Sequence, residues 1–441
     1  MTAPDRPTPS PSRPADPTIG RDRANPSPSR PTDPAAGPDV ATLSSSRSTD
    51  PATDPAVERS GGPGPVGPPT PADGPLADLR VVDVSTVVAG PGCARYLGDF
   101  GADVIKVERP GGDTTRSMGW VDPRDDVTLW WKLAGRNKRS IVLDLKQPDD
   151  LATMRRLVAS ADVLVENFRP GTLERLGLAP DDLLADNPSL VITRVSGFGQ
   201  DGPYAQRPGF ATLAEALSGF AAINGEPDGA PLLPPIALTD EVTGLVAAFA
   251  TMVALHSGTG QVVDVNLLES LVQFMGPLLS LWHTRGELQP RLGSGIPYSV
   301  PRGTYRCADG AWVAISTSAN TVALRVMDLI GVGDDARFQT FAGRIEHRDE
   351  VEAAVARWCA ARPAAEVLDS FEAAQAAAAP VYTTADLAAD PHVLARGVVA
   401  EVDGTPMQGL VARLSATPGR LRWAGRPLDA DAEAIRAELD D

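Results

Sequence analysis

Leu79-Arg80-Val81-Val82-Asp83-Val84, then Gly90-Pro91-Gly92, then Ala102-Asp103-Val104-Ile105-Lys106-Val107-Glu108: these three pieces, in this order, decide the fold. The outer two are short runs rich in valine and isoleucine, which suit a pleated, buried strand. The glycine-proline-glycine between them opens a helical segment that runs through Leu97. The alternation continues downstream, where residues 140–144 read as a strand, 148–159 as a helix, and 162–166 and 189–195 as further strands. Short apolar strands alternating with helices predict an α/β protein with a doubly wound, mostly parallel sheet. The Ala89-Gly90-Pro91-Gly92 turn falls short of a full G-x-G-x-x-G, so a nicotinamide cofactor has little support.

The 441 residues do not all contribute to that core. Residues 1–74 hold eighteen of the 42 prolines, almost no aromatic or long apolar side chain, and a near repeat, P-S-P-S-R-P-A-D-P at 9–17 and P-S-P-S-R-P-T-D-P at 26–34. Such a segment buries too little apolar area to offset its ordering entropy and is expected to be a disordered Pro/Ser/Asp-rich extension. The folded part should start near Gly74-Pro75-Leu76. The chain beyond that point is long enough for a large domain and a smaller one.

Net charge is −17, and residues 1–74 supply only a small part of it, with seven arginines against nine acids. An acidic body argues against nucleic acid and anionic membranes as partners. No N-terminal apolar core resembles a signal peptide, and the apolar run at 242–255 reads as a buried helix too short to span a bilayer. A cytoplasmic location is the resulting expectation. Cys93, Cys307 and Cys359 lack metal-ligand or disulfide spacing, and His256, His283, His347 and His392 form no H-x-x-x-H pair, so neither a metal nor a cysteine-histidine nucleophile is expected.

Cations nevertheless gather after the strands: Arg109, Arg136, Lys138, Arg139, Lys146 and Arg169. Parallel strands bring their carboxyl ends to one crevice, where cationic side chains and backbone amides hold phosphates. A ligand with several phosphates, such as coenzyme A, fits this pattern, and so does a solvated, salt-bridged surface. Far downstream, Pro234-Pro235-Ile236-Ala237-Leu238-Thr239-Asp240-Glu241-Val242-Thr243-Gly244 places a carboxylate, Asp240, at the mouth of an apolar helix. An isolated aspartate there reads as an N-cap. It is also the carboxylate best placed for chemistry, with amides of residues 242–244 expected to ease its charge.

Several ordered motifs carry a more specific resemblance: L-A-D-L-R-V-V-D-V-S at 76–85 with A-G-P-G-C at 89–93, G-D-F-G-A-D-V-I-K-V-E-R-P-G-G-D at 98–113, N-K-R-S-I-V-L-D-L-K at 137–146, A-D-V-L-V-E-N-F-R-P-G-T-L-E-R-L-G-L at 161–178, T-G-Q-V-V-D-V-N-L-L-E-S at 259–270, and A-P-V-Y-T-T-A-D-L-A-A-D-P-H-V-L-A-R-G at 379–397. Across roughly residues 75–430 the chain resembles the class III CoA-transferases of the formyl-CoA transferase and carnitine CoA-transferase type, the CaiB/BaiF family. The resemblance implies a Rossmann-like large domain over 75–290 plus 384–441, a smaller α/β domain over 300–375, and an interlocked homodimer. The smaller domain would begin with strands at 304–307 and 311–316 around an Asp309-Gly310 turn.

By the same resemblance Asp240 is the catalytic residue. Coenzyme A would be contacted by Val87, Val88 and Ala89 after the first strand, by Arg109 after the second, by Leu143 and Lys146 on the third, by Asn167 and Phe168 after the fourth, and by Arg175 on the next helix. Phe168 reads equally as core packing. The implied reaction moves coenzyme A from an acyl-CoA donor to a carboxylic acid acceptor through a covalent aspartyl intermediate, with no tightly bound cofactor. Alternatives are a CoA-dependent racemase-like isomerase or lyase, or a non-enzymatic CoA-binding protein. Relatives that racemise carry a histidine in a G-H-D segment, where this chain has Pro208-Gly209-Phe210-Ala211-Thr212, and phenylalanine exchanges no proton. The stretch Tyr298-Ser299-Val300-Pro301-Arg302-Gly303-Thr304-Tyr305-Arg306 lacks the glycine cluster that covers the reactive aspartate in oxalate-using relatives. The run Leu271, Phe274, Met275, Leu278 and Leu279 is consistent with an acyl site but reads more simply as core.

A chain lacking residues 1–74 is expected to keep its assembly state and its affinity for coenzyme A, as checked by sedimentation and by CoA titration. Loss of either would bring the extension into the functional body.

Overall fold

A computed structural model describes residues 73–440. All of these residues belong to one compact unit. The disorder expected of the extension therefore concerns residues outside those described, apart from 73 and 74. Asp73 is already tied to the body by an ion pair with Arg420 at 3.0 Å.

Six parallel strands form the main sheet: β1 (Arg80–Asp83), β2 (Asp103–Glu108), β3 (Lys138–Val142), β4 (Val163–Glu166), β5 (Val191–Ser196) and β6 (Gln261–Asn266). Their order is β3-β2-β1-β4-β5-β6, so the chain reverses direction across the sheet between β1 and β4. Ligands of doubly wound folds bind outside the strand carboxyl ends at such a switch point. Alternate side chains serve the two faces. Val81, Val104, Val163, Val165 and Val191 pack with the helices Ala89–Asp99 and Leu238–Ser257. Val82, Ile105, Leu164 and Ile192 pack with Pro148–Ala159 and the C-terminal helix Ala432–Asp440 on the opposite side.

The helix Pro148–Ala159 and strands β1, β2 and β4 lie where the pattern put them, to within a residue. β3 does not. It runs over Lys138–Val142 rather than 140–144, because two residues that look like a solvated turn are built into the strand. Lys138 is 1% exposed, with its ammonium 2.8 Å from Asp83, and Arg139 bonds Asp103 at 2.6 Å. The glycines around Pro91 open a helix, as expected. They lie in the first turn of Ala89–Asp99, where proline is tolerated.

Those glycines serve packing. A Cβ on Gly244 would stand 2.9 Å from the carbonyl oxygen of Ala89 and 3.3 Å from the nitrogen of Cys93, and a Cβ on Gly92 would face the Gly244 Cα at 3.8 Å. The two helices thus cross backbone to backbone. The Leu238–Ser257 helix has 20 residues and is apolar enough, by length and composition, to cross a membrane, contrary to the shorter span expected from sequence. Its Gly244, Ala247, Ala248, Thr251 and Ala254 are buried in this fold. On its other face Leu245, Phe249 and Val253 are exposed.

A second sheet is antiparallel: β7 (Arg302–Arg306), β8 (Trp312–Ser316) and β9 (Ala377–Pro380), in the order β7-β8-β9. Tyr305, Val313 and Ile315 from it pack with Val326, Met327, Val355 and Phe371 in a core of their own. A hairpin, β10 (Val399–Val402) and β11 (Thr405–Gln408), turns at Asp403 and Gly404, both at positive φ as a two-residue turn of this hand requires. The last helix closes on the first strand. Glu438 pairs with Arg80 at 3.1 Å and with Arg139 at 2.6 Å.

Gly244→Ala is expected to destabilise the protein by about 1–3 kcal/mol, since the added methyl forces two backbones apart. Thermal unfolding should show a lowered Tm, whereas Gly258→Ala, which meets no atom within 4 Å, should cost only its left-handed backbone strain.

Candidate active site

The site begins where β1 ends. Asp83 is fully buried there, with its carboxylate 2.8 Å from the Lys138 ammonium and 3.5 Å from that of Lys106, and it accepts the backbone N–H of Ser85 at 3.0 Å. Burial alone would push its pKa up, but the two lysines outweigh burial and hold it below the ordinary carboxylate value. Further along the loop, Asn167 from the end of β4 grips the backbone of Thr86. Its Oδ1 accepts the Thr86 N–H at 2.8 Å and its amide donates to the Thr86 carbonyl at 2.7 Å.

Beside these anchors Val87 sits at φ +69°, a left-handed conformation that a β-branched residue adopts only at a cost of about 1–3 kcal/mol. It is 36% exposed, whereas Val88 and Ala89 are buried. A strained residue held by a buried carboxylate below and an amide grip beside it is a preorganised surface at the switch point of the sheet.

The basic residues divide into two sets. Arg136 is fully buried against Asp99 at 2.5 Å, Lys138 is spent on Asp83 and the Pro91 carbonyl, and Arg139 on Asp103 and Glu438. These three hold the fold together and offer no charge to a ligand, which removes half of the cationic set read from sequence. Arg109, Lys146 and Arg169 are exposed, and among the described residues no carboxylate pairs with any of them. Arg109 bonds only the Gly112 carbonyl, at 3.3 Å. Arg175, exposed at the end of the short helix Thr172–Arg175, bonds the Thr172 hydroxyl at 2.7 Å. Arg109, Lys146 and Asn167 thus follow β2, β3 and β4, which with β1 are consecutive in the sheet. Leu143, 1% exposed, is packed in the inner core, and half-buried Phe168 packs against the same cluster. Of the apolar run at 271–279, only Leu271 is buried. Phe274 and Leu279 are each 63% exposed, so that run is not simple core.

Asp240 is the third residue of the Leu238–Ser257 helix, whose N-cap, Ala237, provides no side-chain bond. The close glycine crossing sets this first turn against the helix that follows the Val87 loop. Glu241 fastens it, pairing with Arg95 at 2.8 Å and accepting the Tyr96 hydroxyl at 3.2 Å. Val88, Gly92, Arg95, Trp130 and Glu241 line one narrow cleft, so the loop after β1 and the turn carrying Asp240 share a wall. The expected help from the amides of 242–244 is absent, because those residues lie inside the helix and their N–H groups serve it. Burial, then Glu215, then Glu241 push the Asp240 carboxyl up to about 6. The favourable helix N-terminus is outweighed.

Glu215 was not visible as a functional residue from sequence. It lies on the helix Ala211–Leu217, 3% exposed, and its Oε1 accepts the buried Thr239 hydroxyl at 2.8 Å. The signal was an acid alone in the otherwise apolar and small run Ala211-Thr212-Leu213-Ala214-Glu215-Ala216-Leu217. No group of three or more His, Cys, Asp or Glu side chains among the described residues is arranged to hold a metal ion.

Comparison with known proteins identifies the family. Residues 76–432 match the profile of CoA-transferase family III. The chain is 39% identical over 378 residues to the succinyl-CoA–D-citramalate CoA-transferase of Chloroflexus aurantiacus, covering 83% of this chain and 94% of that one. It is 34% identical to the succinate–glutarate CoA-transferase of Agrobacterium fabrum, over 83% of this chain and 96% of that one. Among solved structures, a CAIB/BAIF family protein from Brucella suis superposes with a TM-score of 0.75 at 32% identity, covering 83% of this chain and all of the other. A match that runs through both sheets, the Val87 loop and the Asp240 helix leaves one assignment: the chain belongs to the class III CoA-transferases, the CaiB/BaiF family.

Proposed function

We propose that this enzyme transfers coenzyme A from succinyl-CoA to a second small organic acid, with Asp240 as the nucleophile. The carrying observation is the Asp240 carboxylate itself: half-buried, paired with no cation among the described residues, and held up to about 6. A carboxylate kept from strong donors keeps its electron pair available for attack. Its oxygen adds to the thioester carbonyl of the donor, the C–S bond breaks, and coenzyme A leaves as thiolate. The thiolate returns to the aspartyl carbonyl of the resulting anhydride and the donor acid leaves as carboxylate. The acceptor carboxylate then attacks the aspartyl-CoA thioester, and thiolate attack on the second anhydride releases product and restores Asp240. Both anhydrides hydrolyse if water reaches them, so exclusion of water is part of the mechanism.

In this reading the preorganised backbone at Val87, Val88 and Ala89 receives the CoA chain, with Asn167 fixing the loop, and Arg109, Lys146 and Arg175, three of the cations left without a carboxylate, meet its phosphates. Phe168 supplies an apolar edge, and Leu143 contributes through backbone alone. Residues 75–290 with 384–441 would form the large domain and 300–375 the small one, a division supported by the separate cores. The succinyl donor follows the names of the relatives, several of which pair succinyl-CoA or succinate with another organic acid. The homodimer, interlocked by analogy with the family, is supported by the apolar side chains this chain leaves uncovered: Leu245, Phe249, Val253, Phe274, Leu279 and Trp282. A cytoplasmic enzyme without tightly bound cofactor, nucleic acid or membrane partner completes the reading.

Asp240→Ala should lower transfer by at least about a thousandfold while leaving CoA binding intact, and normal turnover by the folded variant would refute the nucleophile. Because the Asp240 pKa is raised, the protonated, unreactive form persists to higher pH than in an ordinary aspartate. The acid limb of kcat/KM should accordingly fall near pH 6 rather than near the ~4 of a free side chain. With succinyl-CoA as donor, a panel of carboxylic acids should give new acyl-CoA products only when an acceptor is present. Product without acceptor would point to another CoA reaction.

A further inference from the structure

Eight acids are buried among the described residues, and seven of them face a cation. Asp83, Asp99, Glu108, Asp113, Asp122, Glu166 and Asp431 each have a lysine or arginine nitrogen 2.5 to 3.4 Å away. Glu215 alone has none; its partner is the Thr239 hydroxyl, and Thr239 is the residue immediately before Asp240. An uncompensated buried carboxylate is costly to a fold, so an acid retained there is expected to return something in function.

We propose that Glu215 is a positioning residue for the transfer reaction, its buried carboxylate holding the Asp240 carboxylate at high energy so that acylation of Asp240 is favoured. This rests on Asp240 being the nucleophile. Attack by Asp240 forms a C–O bond to the acyl carbon as the C–S bond breaks, and the negative charge departs on the thiolate. Thiolate return forms a C–S bond to the aspartyl carbonyl as the anhydride C–O bond breaks, and the charge departs on the donor carboxylate. In both acylated states Asp240 is neutral, so the repulsion with Glu215 and the burial penalty are relieved together. Protonation relieves the same two costs, which links the proton affinity of Asp240 to its affinity for an acyl group.

The other charged or titratable groups near this turn are accounted for. On the Ala89–Asp99 helix, Arg95 and Tyr96 are engaged with Glu241, Asp99 with Arg136, and the buried Cys93 thiol lies by Thr251. Arg194 on β5 is spent on Glu166 and Glu174, Asp264 on β6 accepts the Gln200 backbone, and Glu269 on Leu267–Val272 is exposed. Among these groups no cation is left over to neutralise the Glu215–Asp240 pair.

The test compares the full-length enzyme with Glu215→Gln, which keeps the shape and can still accept from Thr239. Two quantities are read: the acid limb of kcat/KM, and the fraction of enzyme trapped as Asp240 hydroxamate by hydroxylamine quench after mixing with succinyl-CoA alone. The acid limb is expected to move down by about one pH unit and the acylation equilibrium to weaken by about the same tenfold factor, with CoA affinity unchanged, whereas Glu215→Asp should restore both. A folded Glu215→Gln with both quantities unmoved overturns the proposal. Should it fail to fold, Glu215→Leu is read instead, and if only Glu215→Asp folds, Glu215 is structural and the proposal is wrong. Absence of trapped adduct in the wild-type enzyme would count against the Asp240 reading itself, which separates the two failures.

Discussion

Two parts of this chain that lie far apart in sequence meet through a pair of glycines, with no side chains in the way. Gly92 and Gly244 let the helix after β1 and the helix bearing Asp240 touch backbone to backbone, leaving no room for a methyl group on Gly244. Without that crossing the Asp240 turn would ride at ordinary helix-packing distance from the loop that forms the switch-point surface. Arg95 reaching Glu241 locks the same pair of helices from the side. The location of the Asp240 carboxylate relative to the Val87 loop is therefore set by the smallest residues in the molecule, and a proline in the first turn of Ala89–Asp99 keeps that entry stiff.

The carboxyl edge of the sheet adds a second constraint, electrostatic in kind. Asp83, Lys106, Lys138, Asp113 and Glu108 with Arg116 form a buried set of opposed charges beneath the Val87 loop. Such a set is weak evidence for stability, since desolvation consumes much of its attraction. Its directional bonds have a different value. They fix Ser85 and Val87 in a conformation that an apolar floor would not specify, while Asn167 holds Thr86, so the loop is ordered without a ligand.

Much of this was legible in the chain. Alternating runs of valine and isoleucine marked β1, β2 and β4 and the Pro148–Ala159 helix because burial on both faces leaves a pattern local in sequence. β3 slipped because Lys138 and Arg139 have their partners 55 and 36 residues away, and a charge looks solvated until its distant partner is known. β6 was quoted as a motif without being seen as a strand, since Gln261 and Asp264 interrupt its valines. At the site, Asp240 stood out by its place at a helix start, but neither the strain at Val87 nor the role of Asn167 as a backbone grip has any signature in composition. Glu215 was hidden for the opposite reason to Lys138: its distinguishing mark is the lack of a cation beside it, which only a folded structure can reveal.

The joint between Arg80, Arg139 and Glu438 holds the first strand and the last helix side by side, and with the pairs Arg156–Asp440 and Asp73–Arg420 it closes the two ends of the described chain on each other through ion pairs. Arg80 and Glu438 are each partly exposed there, at 28% and 39%, and ion pairs so placed are sensitive to salt. Rising ionic strength is therefore expected to loosen the closure of the chain ends on each other sooner than it loosens the apolar cores on either face of the sheet.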